Sequence, residues 1–207
     1  MSAMTSYSAA WVPKHDDTDW EDAAALAIAW VTAQGREQGR TPLLVTNGQG
    51  AESSVPALVT FGSRYGRTTP RSARVDGNRP VLAYVPDTRT LDFAAGKAHG
   101  SSLCVVEGFG LELAGWARDS GAVDLTGRSS APQALDPRLT EALDRLEFHG
   151  NNGWTRGFGQ DQARRILADL HSARLLDRSV IVGAMLARGS STKAVQRLEQ
   201  LIDGAGT

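Results

Sequence analysis

Cysteine is almost absent: Cys104 stands alone in 207 residues, which excludes an internal disulfide and a cysteine-rich zinc site. Charge of either sign is not in excess. Twenty-two Lys and Arg against 23 Asp and Glu leave a net charge of −1, so any case for nucleic acid must rest on local patches. Long apolar runs are missing too. The longest, "AAALAIAWV" from Ala23 to Val31, is far too short to cross a bilayer. It follows the acidic "HDDTDWED" rather than a positive leader, so no secretory signal is expected and the cytoplasm is the expected location. The four histidines, His15, His99, His149 and His171, have no paired spacing. The chain contains no G-x-S-x-G elbow and no G-x-x-x-x-G-K-[ST] loop, so serine-hydrolase and P-loop chemistry are not expected. Cys104 lies within an apolar run and reads as core rather than nucleophile.

What is present is an alternation. "PLLVT" (42–46), "PVLAYV" (80–85) and "SLCVVE" (102–107) are apolar runs of strand length. Helical patterns follow each of them, at 52–65, 88–98 and 109–119. Continuous apolar strands interleaved with helices predict an α/β fold: a three-layer, mostly parallel sheet of three to four strands, with "GAVDL" (121–125) as the short fourth. A helix over 19–34 precedes the alternation, with Thr18 and Glu21 at capping-box spacing and Gly35 as its stop. The expected organisation is a loose N-terminal arm (1–17), an α/β core (18–125), a linker (126–136) and a helical segment (137–207) packed on the core. Asp136 and Pro137 open the first of those later helices, with Leu139, Leu143 and Leu146 on one stripe.

Two places in this layout invite chemistry. "LLVTNGQGAESS" (43–54) sets Gly48, Gly50 and Ser53 between a strand and a helix, in the spacing of a dinucleotide-binding turn. Asp76 stands near the distance of the expected ribose-binding acid. Against that, Ser53 replaces a glycine, Glu52 adds negative charge and Pro56 comes early in the helix, so an ordinary glycine turn is the simpler reading. Asn47, Asp87 and Glu107 fall at the carboxyl ends of the three strands, where open parallel sheets bind ligands. Asp87 and Glu107 could hold a divalent metal or share acid–base work. Equally, Asp87 could cap the next helix and Glu107 could be a solvated rim residue.

The second place is "HGNNGWTRGFG" (149–159). Asn151, Asn152, Trp154 and Arg156 there could read a ligand by hydrogen bonding and stacking. The alternative is a structural loop with Trp154 and Phe158 packed on the core. The stretch 63–79 carries Arg64, Arg67, Arg71, Arg74 and Arg79, either an anion surface or a solvated crossover loop. The last two helices have helix-turn-helix length, with Thr192, Lys193, Gln196 and Arg197 on the outward face. The favoured expectation is a non-catalytic binding or regulatory protein that recognises a protein partner or a phosphate-bearing ligand. One rival is an enzyme on nucleotides or phosphate esters using Asp87 and Glu107. The other is a DNA-binding accessory protein using the terminal helices, although nucleic acid is not the favoured partner. Homo-oligomers fit either reading, and no motif specifies a cofactor.

Overall fold

The computed structural model describes residues 6–17, 19–72, 76–128 and 134–205. The described residues divide by contact density into two units, one within 6–113 together with 121–128 and the other 114–120 with 134–205.

The first unit is an all-parallel sheet of six strands. In chain order its elements are β1 (Ser8–Val12), α1 (Trp20–Gln38), β2 (Leu43–Val45), α2 (Pro56–Tyr65), β3 (Arg67–Thr68), β4 (Val81–Tyr84), α3 (Thr88–Ala98), β5 (Ser102–Val106) and β6 (Val123–Asp124). The spatial order is β3-β2-β4-β5-β1-β6. The three apolar runs thus form β2, β4 and β5, side by side and parallel, as their composition indicates. Their residues are buried on both faces. Ala10, Val12, Leu44, Leu82, Tyr84, Cys104 and Val106 share a core with α1 and α2, and the alternate residues, including Val45, Ala83 and Val105, are equally buried. Right-handed crossovers put α1 and α2 on one face and α3 on the other, which makes the layers.

Two expectations are corrected here. Residues 8–12 do not belong to a loose arm. They form β1, an interior strand held between β5 and β6, with Ser8 opposite Ser102 and Val12 opposite Val106. Nor does Gly35 end the first helix. The helix runs on to Gln38 and closes on Gly39 in the left-handed conformation. Gly35 is needed because the returning chain crosses it: a β-carbon there would lie 2.9 Å from the Arg40 carbonyl oxygen and from Pro42. Thr18 lies outside the described residues, and the observed cap is Asp19, whose carboxylate accepts the Glu21 N–H at 2.7 Å.

The second unit is helical: α4 (Ala114–Ser120), α5 (Pro137–His149), α6 (Phe158–Ser172), α7 (Arg178–Ala187) and α8 (Thr192–Ala205). The expected helix over 109–119 is shorter and later, since residues 109–113 are not helical. α7 is buried throughout from Ile181 to Ala187 and is the spine of this unit. It meets α4 backbone to backbone. A β-carbon at Gly115 would lie 2.8 Å from the Val180 Cα, and one at Gly183 would collide with the Trp116 amide. Arg188, just past α7, is nearly buried and gathers three acids: Asp119 by two bonds (2.9 and 3.0 Å), Asp144 (3.0 Å) and Glu147 (2.9 Å). One cation thereby ties α4, α5 and α7 together. Its proton is held more firmly than usual by these carboxylates, although burial works the other way.

Candidate functional site

In an open parallel sheet the natural crevice opens where neighbouring strands lead in opposite directions. Here that point lies between β2, which leads outward to β3, and β4, which leads back to β5. Asn47 and Asp87 do meet there, but on each other's account. The Asn47 Nδ2 donates to the Val85 carbonyl at 2.8 Å, and its Oδ1 accepts the Asp87 N–H at 2.9 Å. The Asp87 carboxylate caps α3 by accepting the Thr90 N–H at 2.7 Å. Val85 between them has φ +45°, a left-handed conformation that a β-branched residue adopts only under constraint. The two Asn47 bonds and the Val85 N–H to the Val106 carbonyl (2.9 Å) supply that constraint.

Glu107 is committed as well. One carboxylate oxygen accepts the Lys14 N–H at 3.1 Å and the other accepts the Leu113 N–H at 2.7 Å. It stitches the chain leaving β5 to the chain leaving β1. No bond joins it to Asp87, and among the described residues no three His, Cys, Asp or Glu side chains assemble as a metal-ligand group.

The glycine turn has a similar outcome. Successive turns run from Gly48 to Val55, with Ser53 N–H to the Gly50 carbonyl at 3.0 Å and Val55 N–H to the Glu52 carbonyl at 2.9 Å. The helix starts only at Pro56, three residues after Ser53, so the glycines do not abut its N-terminus. In its first turn the Ala57 N–H is already taken by the Glu21 carboxylate, at 3.1 Å. A phosphate would compete there with the protein's own anion. Glu52 turns inward, 1% exposed, and pairs with Arg67. Asp76 is exposed outside any strand.

The arginine-rich stretch also dissolves into separate roles. Arg67 belongs to β3. Arg79 donates to the Thr41, Pro42 and Tyr65 carbonyls, and Arg64 lies over the Tyr65 ring. Arg74 falls outside the described residues. The sequence reading missed an aromatic group at the same sheet edge: Phe109, 78% exposed, leans on Trp20 with Lys14 Nζ 3.9 Å from its ring centre.

The helical unit offers a contrast at the corner joining α5 to α6. Trp154 is not presented to a ligand. It is fully buried, and its indole N–H donates to the Leu146 carbonyl at 3.1 Å. The loop folds around it, with the Arg197 guanidinium donating to the Gly153 carbonyl at 3.1 Å. Asn151, Asn152 and Arg156 remain on the surface. Phe158, expected on the core as the structural alternative, is instead 71% exposed, and so is Phe148. His149 stands between them with ring centres 5.1 and 5.6 Å away, edge to face with both. Next to this trio an open cleft of about 650 Å³ is lined by Arg156, Gly157, Gln160, Asp161 and Arg164. Helix α6 begins there without a side-chain cap, since Gly157 occupies the cap position.

Phe148 carried a readable signal: it lies off the stripe formed by Leu139, Leu143 and Leu146, so its helix turns it away from the core. On α8, Arg197 is engaged with Gly153. Arg178 is tied to Glu199 and Asp203, which places acids on the helix that the DNA-binding alternative would use. No family model, curated protein or solved structure matches this chain.

Proposed function

We propose that this protein is a non-catalytic binding protein that recognises a protein partner through the α5–α6 corner. One observation carries the reading. Asn47, Asp87 and Glu107 at the sheet edge each hydrogen-bond the fold's own backbone, whereas Phe148 and Phe158 stand in solvent. Exposed aromatics beside arginine have the composition of interface anchors.

Thermal denaturation of the full chain tests it, with nucleotides and inorganic phosphate, each with and without magnesium or manganese. The expected result is no nucleotide- or metal-dependent stabilisation. Glu107→Gln should lower the melting temperature, because an amide nitrogen replaces one of two oxygens that accept backbone N–H groups, whereas Asp87→Asn, which keeps a helix-capping oxygen, should change it little. Metal-dependent stabilisation by a nucleotide that disappears in both variants would replace this reading with an enzyme at the sheet edge. A second reading, a phosphate-bearing ligand, is favoured by the uncapped start of α6 beside Arg156. It requires stabilisation by inorganic phosphate that Arg156→Ala removes.

A further inference from the structure

The helical layer formed by α1 and α2 meets solvent with almost no charge. Residues 23–35 of α1 and 56–63 of α2 contain no Asp, Glu, Lys or Arg, although Ala25, Leu26, Ala29 and Ala33 on α1 and Val59 on α2 are exposed. Leu26 is 39% exposed and Val59 43%. Helices α5, α6 and α8, by contrast, each expose charges of both signs. A solvated helix ordinarily carries polar and charged residues on its outer side, so α1 has the outer face of a helix that is covered.

Charge returns at the two ends of that face, with opposite signs. Asp22 and Arg36 stand seven residues on either side of Ala29, two turns away and within about 20° of its direction. Both are exposed, and neither side chain has an ion pair or hydrogen bond among the described residues. The neighbouring charges are engaged or turned aside. Asp19 caps the helix, Glu21 holds the Ala57 N–H, and Glu37 accepts from the Gln34 amide at 3.2 Å. Glu21 and Glu37 both point about 80° away from Ala29. Asp17 is paired with Arg128, and Arg40 donates to Asn78 and to the Gly100 carbonyl. Asp16, exposed ahead of the helix, adds to its negative end.

We propose that α1 is a dimerisation helix, packing antiparallel on α1 of a second copy of this chain about a two-fold axis at Ala29. An isologous contact sets each residue against the one equally far along on the other side of the axis. Ala29 then meets its own mate, Ala25 meets Ala33, and Asp22 meets Arg36 at both ends. The alanines let the two backbones approach closely, and Leu26 leaves solvent. Asp22 lines an open cleft of about 510 Å³ with Asp19, Leu26 and Leu125, which receives the guanidinium of the second copy. A parallel pairing would set Asp22 against Asp22 and Arg36 against Arg36, so the charges select the antiparallel one. The α5–α6 corner takes no part in this contact.

Sedimentation equilibrium of the full chain tests it. The wild type should dimerise with micromolar affinity, because a face of helix size falls short of the roughly 800 Å² per partner of a standard interface. Asp22→Arg and Arg36→Asp should each raise the dissociation constant at least about tenfold, since each sets like charges together at both ends. Mixed in equal amounts, these two variants should form dimers as tightly as the wild type, because the heterodimer restores both ion pairs. Ala29→Arg should be monomeric, and all three should keep the wild-type circular dichroism spectrum. The proposal is overturned if the wild type stays monomeric through the micromolar range, if Ala29→Arg dimerises unchanged, or if the mixture of charge variants does not form dimers. A monomeric wild type that binds phosphatidylcholine vesicles, and releases them on Ala29→Arg, would assign the face to a lipid surface instead.

Discussion

The carboxyl edge of the sheet and the α5–α6 corner present similar inventories, with Asn, acids, aromatics and a basic residue in each. They differ in what those groups touch. Near the sheet edge Asn47 and Glu107 each hold a backbone amide of a loop, and Asp87 and Glu21 each hold one in the first turn of a helix. At the corner Trp154 and Arg197 are spent on structure, and Phe148, Phe158 and Arg156 stay exposed. A polar residue at a favoured position is evidence of function only when its bonding capacity remains unspent. By that standard the three sheet-edge side chains serve the fold, and the exposed rings of the helical corner are what support the proposal of a partner surface there.

The sharpest way to break this contrast is at Trp154. Trp154→Ala should cost about 3–5 kcal/mol, the loss expected for a buried aromatic, seen in chemical denaturation followed by circular dichroism. A near-neutral change would return Trp154 to the list of ligand contacts. Arg188→Met should come next, at about 3 kcal/mol, because it leaves Asp119 largely buried without its cation. A loss confined to the range of exposed ion pairs, below about 1 kcal/mol, would show that the hub does not hold α4, α5 and α7.

The sheet core can be tested through pH. Burial pushes the Cys104 thiol well above its ordinary value, so the folded chain keeps a proton that the unfolded chain releases near pH 8.5. With the folded value raised, the associated stability is complete below that pH and is lost as pH rises. Between pH 7 and pH 10 the wild type should therefore lose about 2 kcal/mol more than Cys104→Val, measured by urea unfolding at both values. Equal losses would mean that the thiol has access to water. The smallest effect belongs to Arg156→Ala, which should change stability by less than about 0.5 kcal/mol. A larger change would make Arg156 part of the scaffold and weaken the case for the corner as a free surface.

Much of the fold is legible in the sequence because it depends on local pattern. β2, β4 and β5 are branched apolar runs, and α5 shows its cap at Asp136, its first-turn Pro137 and its leucine stripe. β1 is not legible: "SAAWV" has little strand propensity of its own and becomes a strand through residue-by-residue pairing with β5, more than ninety positions away. Asp87 as a helix cap can be read three residues ahead, but the bond of Glu107 to the Lys14 amide spans 93 positions and leaves no local trace. At the corner, the off-stripe position of Phe148 was available, while the exposure of Phe158 depends on where the α6 axis begins.

The close meeting of α4 and α7 bears on how the chain is made. α4 lies between β5 and β6 in sequence, yet its glycine-smoothed face fits α7, which begins roughly sixty residues later. At translation rates of roughly 5–20 residues per second, Trp116 emerges from the ribosome about 3–12 s before the helix that shields it. During that interval the sheet can assemble around β5, but a tryptophan and a bare backbone groove stay open to solvent. The nascent chain should be most vulnerable to aggregation and to chaperone capture in that window, which closes when Gly183 clears the exit tunnel.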